Sequence, residues 1–291
     1  MDSQNTQTEF QAEFQYVDGR RFHNVKSAIY PLPNDDTEMD RLNLQHLMVR
    51  YMWQSNFSAP IEHILSKPGV KILDVGYPLV EFVGLDISPL QSTQIKPKNF
   101  TFIKANVLEG IPFEDNYFDF VFQRFLLGGY KKEKWPSAIN ELVRVLKPGG
   151  FLELCEPSRM VDLDPASRRL YDGEMEIIEQ QGSDIYIYQK LENYLQSQGQ
   201  LENIKNDQRL YPHGIKYNND FQLIKMAIRN TISTFNIFKP TLLNKFQISS
   251  EEFDELIKTS EKELFEFDTY LYFGRFYASK VIENNIETTL K

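Results

Sequence analysis

Asp74, Gly76 and Asp86 hold the spacing in this chain most suited to chemistry. Lys71-Ile72-Leu73-Asp74-Val75-Gly76 reads as a buried strand running into a glycine turn. Glu81-Phe82-Val83-Gly84-Leu85-Asp86-Ile87-Ser88 reads as the next strand, ending in an acid. A carboxylate at such a strand end can accept hydrogen bonds from both hydroxyls of a ribose, and glycine lets the backbone approach a nucleotide or nucleoside closely. In α/β folds with that chemistry the acid lies about 20 residues downstream, beyond a whole helix. Here Asp86 follows Gly76 by ten residues.

That spacing has a geometric consequence. Five residues separate Val75 from Glu81. Fully extended they span at most about 18 Å. Returning along a five-residue strand takes about 17 Å, and clearing the sheet face adds on the order of 10 Å. Parallel neighbours ordinarily need a crossover of about a dozen residues or more. Segments 71–75 and 81–86 therefore cannot lie side by side in parallel unless each shortens sharply. The other outcomes are one long strand, a hairpin at Gly76-Tyr77-Pro78, or expulsion of one segment. A sheet locally rearranged near 71–86, with 81–86 kept, is expected.

Other chemistries leave weaker traces. His23, His46, His63 and His213 form no HxH, HExxH or CxxC-type pattern, so no structural zinc is expected. Cys155 lies at a strand end, where buried packing outweighs a nucleophilic role. There is no GxSxG elbow and no P-loop. Glu153, Glu156, Asp162 and Asp164 cluster near one strand end and read as a solvated loop face rather than a general base.

The elements that must position these residues alternate. Strands are expected at 71–75, 81–86, 101–104, 117–122 and 150–155, with Tyr117-Phe118-Asp119-Phe120-Val121-Phe122 apolar enough to be covered on both faces. A helix fits 133–146, carrying Trp135, Ile139, Leu142, Val143 and Leu146 on one side, and Lys147-Pro148-Gly149-Gly150 ends it. Such alternation predicts a Rossmann-like α/β fold, a mostly parallel sheet flanked by helices. A helix fits 36–57, a shorter one 59–66. Two helices fit 165–199, a strand 201–211 and a helix 219–238. Ser249-Ser250-Glu251-Glu252 is a capping box opening a helix to about 266, and 268–277 is a last aromatic strand. Residues 16–34 read as irregular. The chain divides into a disordered tail at 1–18, a helical lead-in at 19–69, a core at 70–158, a helical lid with the last strands of the same domain at 159–280, and a tail at 281–291.

In this order the motifs resemble those of the class I, seven-stranded S-adenosylmethionine-dependent methyltransferases. The matching pieces are ILDVG at 72–76, FVGLDIS at 82–88, FIKANVLEGIPFEDNYFDFVF at 102–122 and INELVRVLKPGGFLELCEP at 139–157. The lead-in, GRRFH at 19–23 through YPLPNDDTEMDRLNLQH at 30–46, is similar to a fungal branch that includes LaeA-type regulators of secondary metabolism. The resemblance implies S-adenosylmethionine as cofactor, held by Asp74, Gly76, Asp86, Ile87, Asn106, Val107, Gln123 and Arg124. It assigns Asp86 to the ribose, Asn106 to the adenine amino group, and Gln123 with Arg124 to the methyl donor and acceptor entrance. Each keeps a structural alternative: a strand-end cap or Asx-turn with Ser88 for Asp86, a turn residue for Asn106, a solvated strand end for Gln123 and Arg124. The family's further glycines and first crossover helix are absent after Gly76.

Two functions stay open. One is direct in-line methyl transfer to a small molecule or protein. The other is a catalytically inactive regulatory or binding relative. The bulk numbers limit the rest. The chain has 291 residues, 41% hydrophobic and 25% charged, with net charge −9, so general nucleic-acid binding is not expected. One cysteine and no apolar leader or 18-residue apolar run predict an intracellular protein, cytoplasmic or nuclear, that is neither secreted nor membrane-spanning.

Overall fold

In a computed structural model of the chain, which describes residues 14–25, 29–75, 82–88, 99–215 and 219–282, the first element is a hairpin. Strands β1 (Phe14–Val17) and β2 (Arg20–His23) pair antiparallel through Asp18-Gly19, both at positive φ (49° and 76°). Asp-Gly is the dipeptide that such a two-residue turn favours. This corrects the expectation of an irregular segment from 16 and of a tail reaching 18; residues 1–13 lie outside the described residues.

Helix α1 (Asp36–Trp53) starts where the Asp35 carboxylate accepts the Glu38 N–H at 3.0 Å, and a short α2 (Glu62–Leu65) follows. The sheet then runs β3 (Ile72–Val75), β4 (Phe82–Asp86), β5 (Thr101–Lys104), β6 (Phe118–Arg124), α3 (Trp135–Val145) and β7 (Leu146–Pro157). The lid and closing strands are α4 (Pro165–Gln180), α5 (Ile187–Ser197), β8 (Leu201–Pro212), α6 (Phe221–Ile237), α7 (Lys239–Phe246), α8 (Ser250–Glu266) and β9 (Tyr270–Lys280). The capping box at Ser249 and Glu252 is formed, whereas α7 has no counterpart in the expected elements.

Seven strands stand in the order β5-β4-β3-β6-β7-β9-β8, with β9 antiparallel to both of its neighbours. β3 pairs in parallel with β4 (Ile72 beside Phe82, Val75 beside Leu85) and with β6 (Val75 beside Gln123). The long strand, the hairpin and the expelled segment are therefore all ruled out. β3 covers only four residues, so Phe82 need return only three residue steps, about 10 Å, and one strand spacing, about 5 Å. That distance lies within the reach of the intervening chain, about 20–25 Å. Residues 76–81, and with them Gly76, lie outside the described residues.

Three apolar clusters hold the layers. Leu73, Leu85, Val121, Leu152 and Leu154 on one sheet face meet Trp135, Leu142, Leu191 and Leu195 of α3 and α5. Ile72, Phe120, Phe122 and Cys155 on the other meet Ala59, Ile61 and Ile64. A third cluster joins α1 to the lid through Met48, Leu170, Ile224, Phe235, Leu242 and Phe253. The irregular first part of β7, where its register against β6 shifts, depends on glycine: Gly149 sits at φ 76°, and a Cβ on Gly150 would lie 2.7 Å from the Asp119 carbonyl oxygen.

Candidate active site

In open α/β sheets ligands bind outside the carboxyl ends of the strands, where the strand order reverses. Here that point falls between β3 and β6, and the carboxyl ends there and on the flanking strands supply Asp74, Asp86, Gln123 with Arg124, and Glu156. Asp74 is buried one residue before the end of β3.

Asp86 closes β4. Its Oδ1 accepts the Ser88 N–H at 2.8 Å, so the Asx-turn named as its structural alternative is formed. Burial pushes its carboxyl up to about 6, against the backbone donors of Ser88 and Ile87. Ser88 is fixed in turn by Asn34 Nδ2, 3.1 Å from its hydroxyl. Asn106 caps a 3-10 turn (Val107–Glu109): Oδ1 accepts the Leu108 N–H at 3.0 Å and Nδ2 donates to Glu109 at 3.0 Å. Its turn role is thus realised, and an adenine contact would have to use remaining hydrogen-bond capacity. Val107 is a core residue packed with Ile111 and Phe118.

Gln123 and Arg124 are not a solvated strand end, because both are buried. Phe125, just beyond, takes a positive φ of 54°, a strained backbone for a bulky residue, as the chain turns off β6. Gln123 Oε1 accepts the Tyr130 hydroxyl at 2.9 Å, while its Nε2, fully buried, has no hydrogen-bond partner. A buried donor left unpaired costs about 1–3 kcal/mol. Tyr130 lies within reach of the charges of both Asp86 and Glu156, and burial is the main cause that raises its hydroxyl pKa. Arg124 Nη1 stands 2.9 Å from His46 Nδ1; burial and then the Arg124 charge lower His46 to about 4, so the ring is neutral and Nδ1 accepts.

Glu153 and Glu156 correct the expectation of a solvated loop face: both lie on β7 and are fully buried. Glu153 accepts the Ser58 and Ala59 N–H groups at 2.8 and 2.7 Å and faces Arg275 at 3.6 Å, a structural role away from the crevice. Glu156 accepts the Leu126 and Leu127 N–H groups at 2.7 and 3.2 Å, and burial pushes it up to about 8. Cys155 is buried, its thiol pushed up to about 12 by burial.

Further inward-facing groups come from the lead-in and lid. Arg41 of α1 binds Glu38 twice (2.9 and 2.6 Å) and Asn230 of α6 at 3.0 Å. Tyr30 lies within reach of the charges of Glu38, Arg41 and Asp86 and so links this group to the end of β4. No local pattern marked these residues, since Arg41 and Asn230 are 189 positions apart.

For the cofactor that the resemblance implies, the described residues supply an acceptor at Asp86 and an unpaired donor at Gln123 Nε2. Both fit a ligand bearing hydroxyls and polar acceptors. No helix of the described residues is long and apolar enough to cross a membrane.

Residues 70–154 match the family model described as a methyltransferase domain. Methyltransferase pytC of Aspergillus terreus is 34% identical over 158 residues, 49% of this chain and 46% of its own. N-methyltransferase verN of Clonostachys rogersoniana is 29% identical over 157 residues, 49% of this chain and 54% of its own. The secondary metabolism regulator laeA of Coprinopsis cinerea is 30% identical over 154 residues, 47% of this chain and 38% of its own. The chain thus spans about half the length, or less, of these curated relatives. Residues 70–154 are thus similar to a methyltransferase domain.

Proposed function

We propose that this chain binds S-adenosylmethionine at the carboxyl ends of β3, β4 and β6 and transfers its methyl group to an acceptor nitrogen on a small molecule or protein. The observation that carries the reading is the parallel, in-register pairing of β3 with β4 and β6. It keeps Asp86 and Gln123 at one end of the sheet despite the ten-residue spacing between Gly76 and Asp86. When bound, the cofactor supplies an electrophilic methyl on a sulfonium. The chain's part is to bind and orient. Asp86 accepts from the ribose hydroxyls, Gln123 Nε2 donates to a polar acceptor, and the lid excludes water. Positioning alone can supply much of such a rate, so a dedicated acid–base pair is not required. The nitrogen acceptor is supported by the names of verN and of N-methyltransferase sirN of Leptosphaeria maculans, 32% identical over 147 residues.

A second reading, a regulatory relative without turnover, is supported by the laeA matches. Calorimetric titration with S-adenosylmethionine separates the two. A micromolar dissociation constant is expected; no heat at millimolar ligand would refute the enzyme and leave the regulator.

A further inference from the structure

Glu174, on the inner side of α4, is 7% exposed and makes no hydrogen bond among the described residues. The cation whose charge reaches it is Arg41. Arg41, however, already carries Glu38 on two donors and Asn230 on a third. The Arg41–Glu38 pair is neutral as a unit, so an ionised Glu174 is a surplus negative charge in a largely buried region. An unpaired buried carboxylate is costly and resolves itself in one of two ways, by taking a proton or by meeting a cation. Burial accordingly pushes Glu174 up to about 8.

The start of α1, which carries Glu38 and Arg41, is tied to the cofactor end, because Asn34, next to the Asp35 cap, donates to Ser88 at 3.1 Å. Tyr30 lies among the charges of Glu38, Arg41 and Asp86, and Tyr130 between those of Asp86 and Glu156. Gln123 Nε2, buried and unpartnered, points independently to a missing ligand beside Tyr130. Arg41 of α1 reaches Glu174, and Tyr171 of α4 itself lies within reach of its charge together with Asp172. Among these no second cation offsets it except Arg159, which reaches Tyr171 and pairs with Asp172 at 3.2 Å.

We propose that Glu174 is the anionic contact of the acceptor site, where it binds the ammonium form of an amine and takes its proton. The step balances within the pair. One N–H bond of the ammonium breaks and leaves its electron pair on nitrogen, one O–H bond forms on Glu174, and a neutral amine faces the carboxyl ends of β4 and β6. Methylation of that amine rests on the methyltransferase reading, whereas its capture by Glu174 does not require the cofactor.

The test uses the full chain, wild type and Glu174→Gln. N-methylbenzylamine and pyrrolidine serve as probes, against their oxygen counterparts benzyl methyl ether and tetrahydrofuran. Binding is followed by ligand-observed NMR with S-adenosylhomocysteine present, and S-adenosylhomocysteine binding by calorimetry. Wild type is expected to favour each amine over its ether by at least about tenfold, the scale of a hydrogen bond to a charged group. Glu174→Gln is expected to lose that preference while binding S-adenosylhomocysteine as wild type does. Equal binding of amine and ether to wild type, no amine binding at all, or a preference retained in Glu174→Gln would overturn the proposal. Should Glu174→Gln not fold, the amine–ether comparison on wild type still decides. A wild type that captures amines but gives no heat with S-adenosylhomocysteine removes the cofactor reading and leaves the amine site standing.

Discussion

Replacing Gln123 by Leu should barely move stability and yet weaken cofactor binding. Leu is close to Gln in shape but has no polar atoms. The substitution removes the buried, unpaired Nε2, whose desolvation costs about 1–3 kcal/mol. It also removes the acceptor of the Tyr130 hydroxyl, 2.9 Å away. That loss forfeits a bond worth about 0.5–1.5 kcal/mol and leaves a buried hydroxyl unpaired, at about 1–3 kcal/mol. The two sides nearly cancel, so the urea midpoint should stay within about 1–2 kcal/mol of wild type. Affinity for S-adenosylhomocysteine, read by calorimetry, should fall roughly two- to thirteen-fold, the equivalent of one hydrogen bond. Tyr130→Phe is the control. It leaves Nε2 in place, so it should cost stability while changing affinity less. Unchanged affinity in Gln123→Leu, together with a loss of more than about 3 kcal/mol, would show that Nε2 serves the fold and not a ligand.

The buried groups and the tight backbone contacts set three further outcomes. Burial pushes Glu153, Glu156 and Glu174 up to about 7, 8 and 8. Acids whose folded pKa is raised hold protons more tightly in the fold, so their contribution is complete at low pH and is lost as pH rises through the folded value. The three histidines lowered by burial, His23, His46 and His213, act only below their ordinary value of 6.5. Urea midpoints should therefore fall between about pH 6.5 and 8, by up to about 1.4 kcal/mol per group per pH unit, with a shallower fall in Glu174→Gln; a flat or rising profile refutes the assignment. Arg275→Met strands the fully buried Glu153 and should cost about 3–5 kcal/mol in chemical denaturation, most of it recovered when Glu153→Gln is added. Gly214→Ala places a Cβ 1.6 Å from the Phe267 carbonyl oxygen, so the backbone itself must move. A loss of about 3 kcal/mol or more, read as a Tm lower by roughly 6–12 °C, is expected.

Most of the sheet was legible because its strands are punctuated by their own turns. Thr101–Lys104 fits its apolar run, and α3 stops where Leu146 turns extended ahead of Pro148-Gly149-Gly150. The hairpin at 14–23 was missed although Asp18-Gly19 signals it, because strands of four residues flanked by polar ones carry little periodicity. The site was legible only where a role is local. Asp86 and Asn106 make contacts two residues away, with Ser88 and Leu108. Glu153 and Glu156 looked like solvated charges because the groups that justify their burial come from elsewhere: Ser58, Ala59 and Arg275 for one, Leu126 and Leu127 for the other. The Arg41 group is more remote still, assembled from the lead-in, α4 and α6.

The short spacing between Gly76 and Asp86 threatens the site less than the reach of the chain first suggested, and the reason lies in what holds Asp86. β5 holds it from one side: Asp86 pairs with Lys104, and the Ala105 N–H donates to the Asp86 carbonyl at 3.0 Å. The turn with Ser88 holds its carboxylate, and Asn34 of the lead-in holds Ser88. None of these contacts passes through residues 76–81. Gln123 is fixed just as independently, by the β6–β7 ladder and by Tyr130. The groups that would meet the ribose and a polar end of the cofactor are therefore placed by β4–β5 pairing, the lead-in and β6–β7, whereas backbone donation after β3 depends on the segment that departs from the family. Losses there should appear as weaker cofactor affinity, while the positions of Asp86 and Gln123 stay fixed by contacts that the departure does not touch.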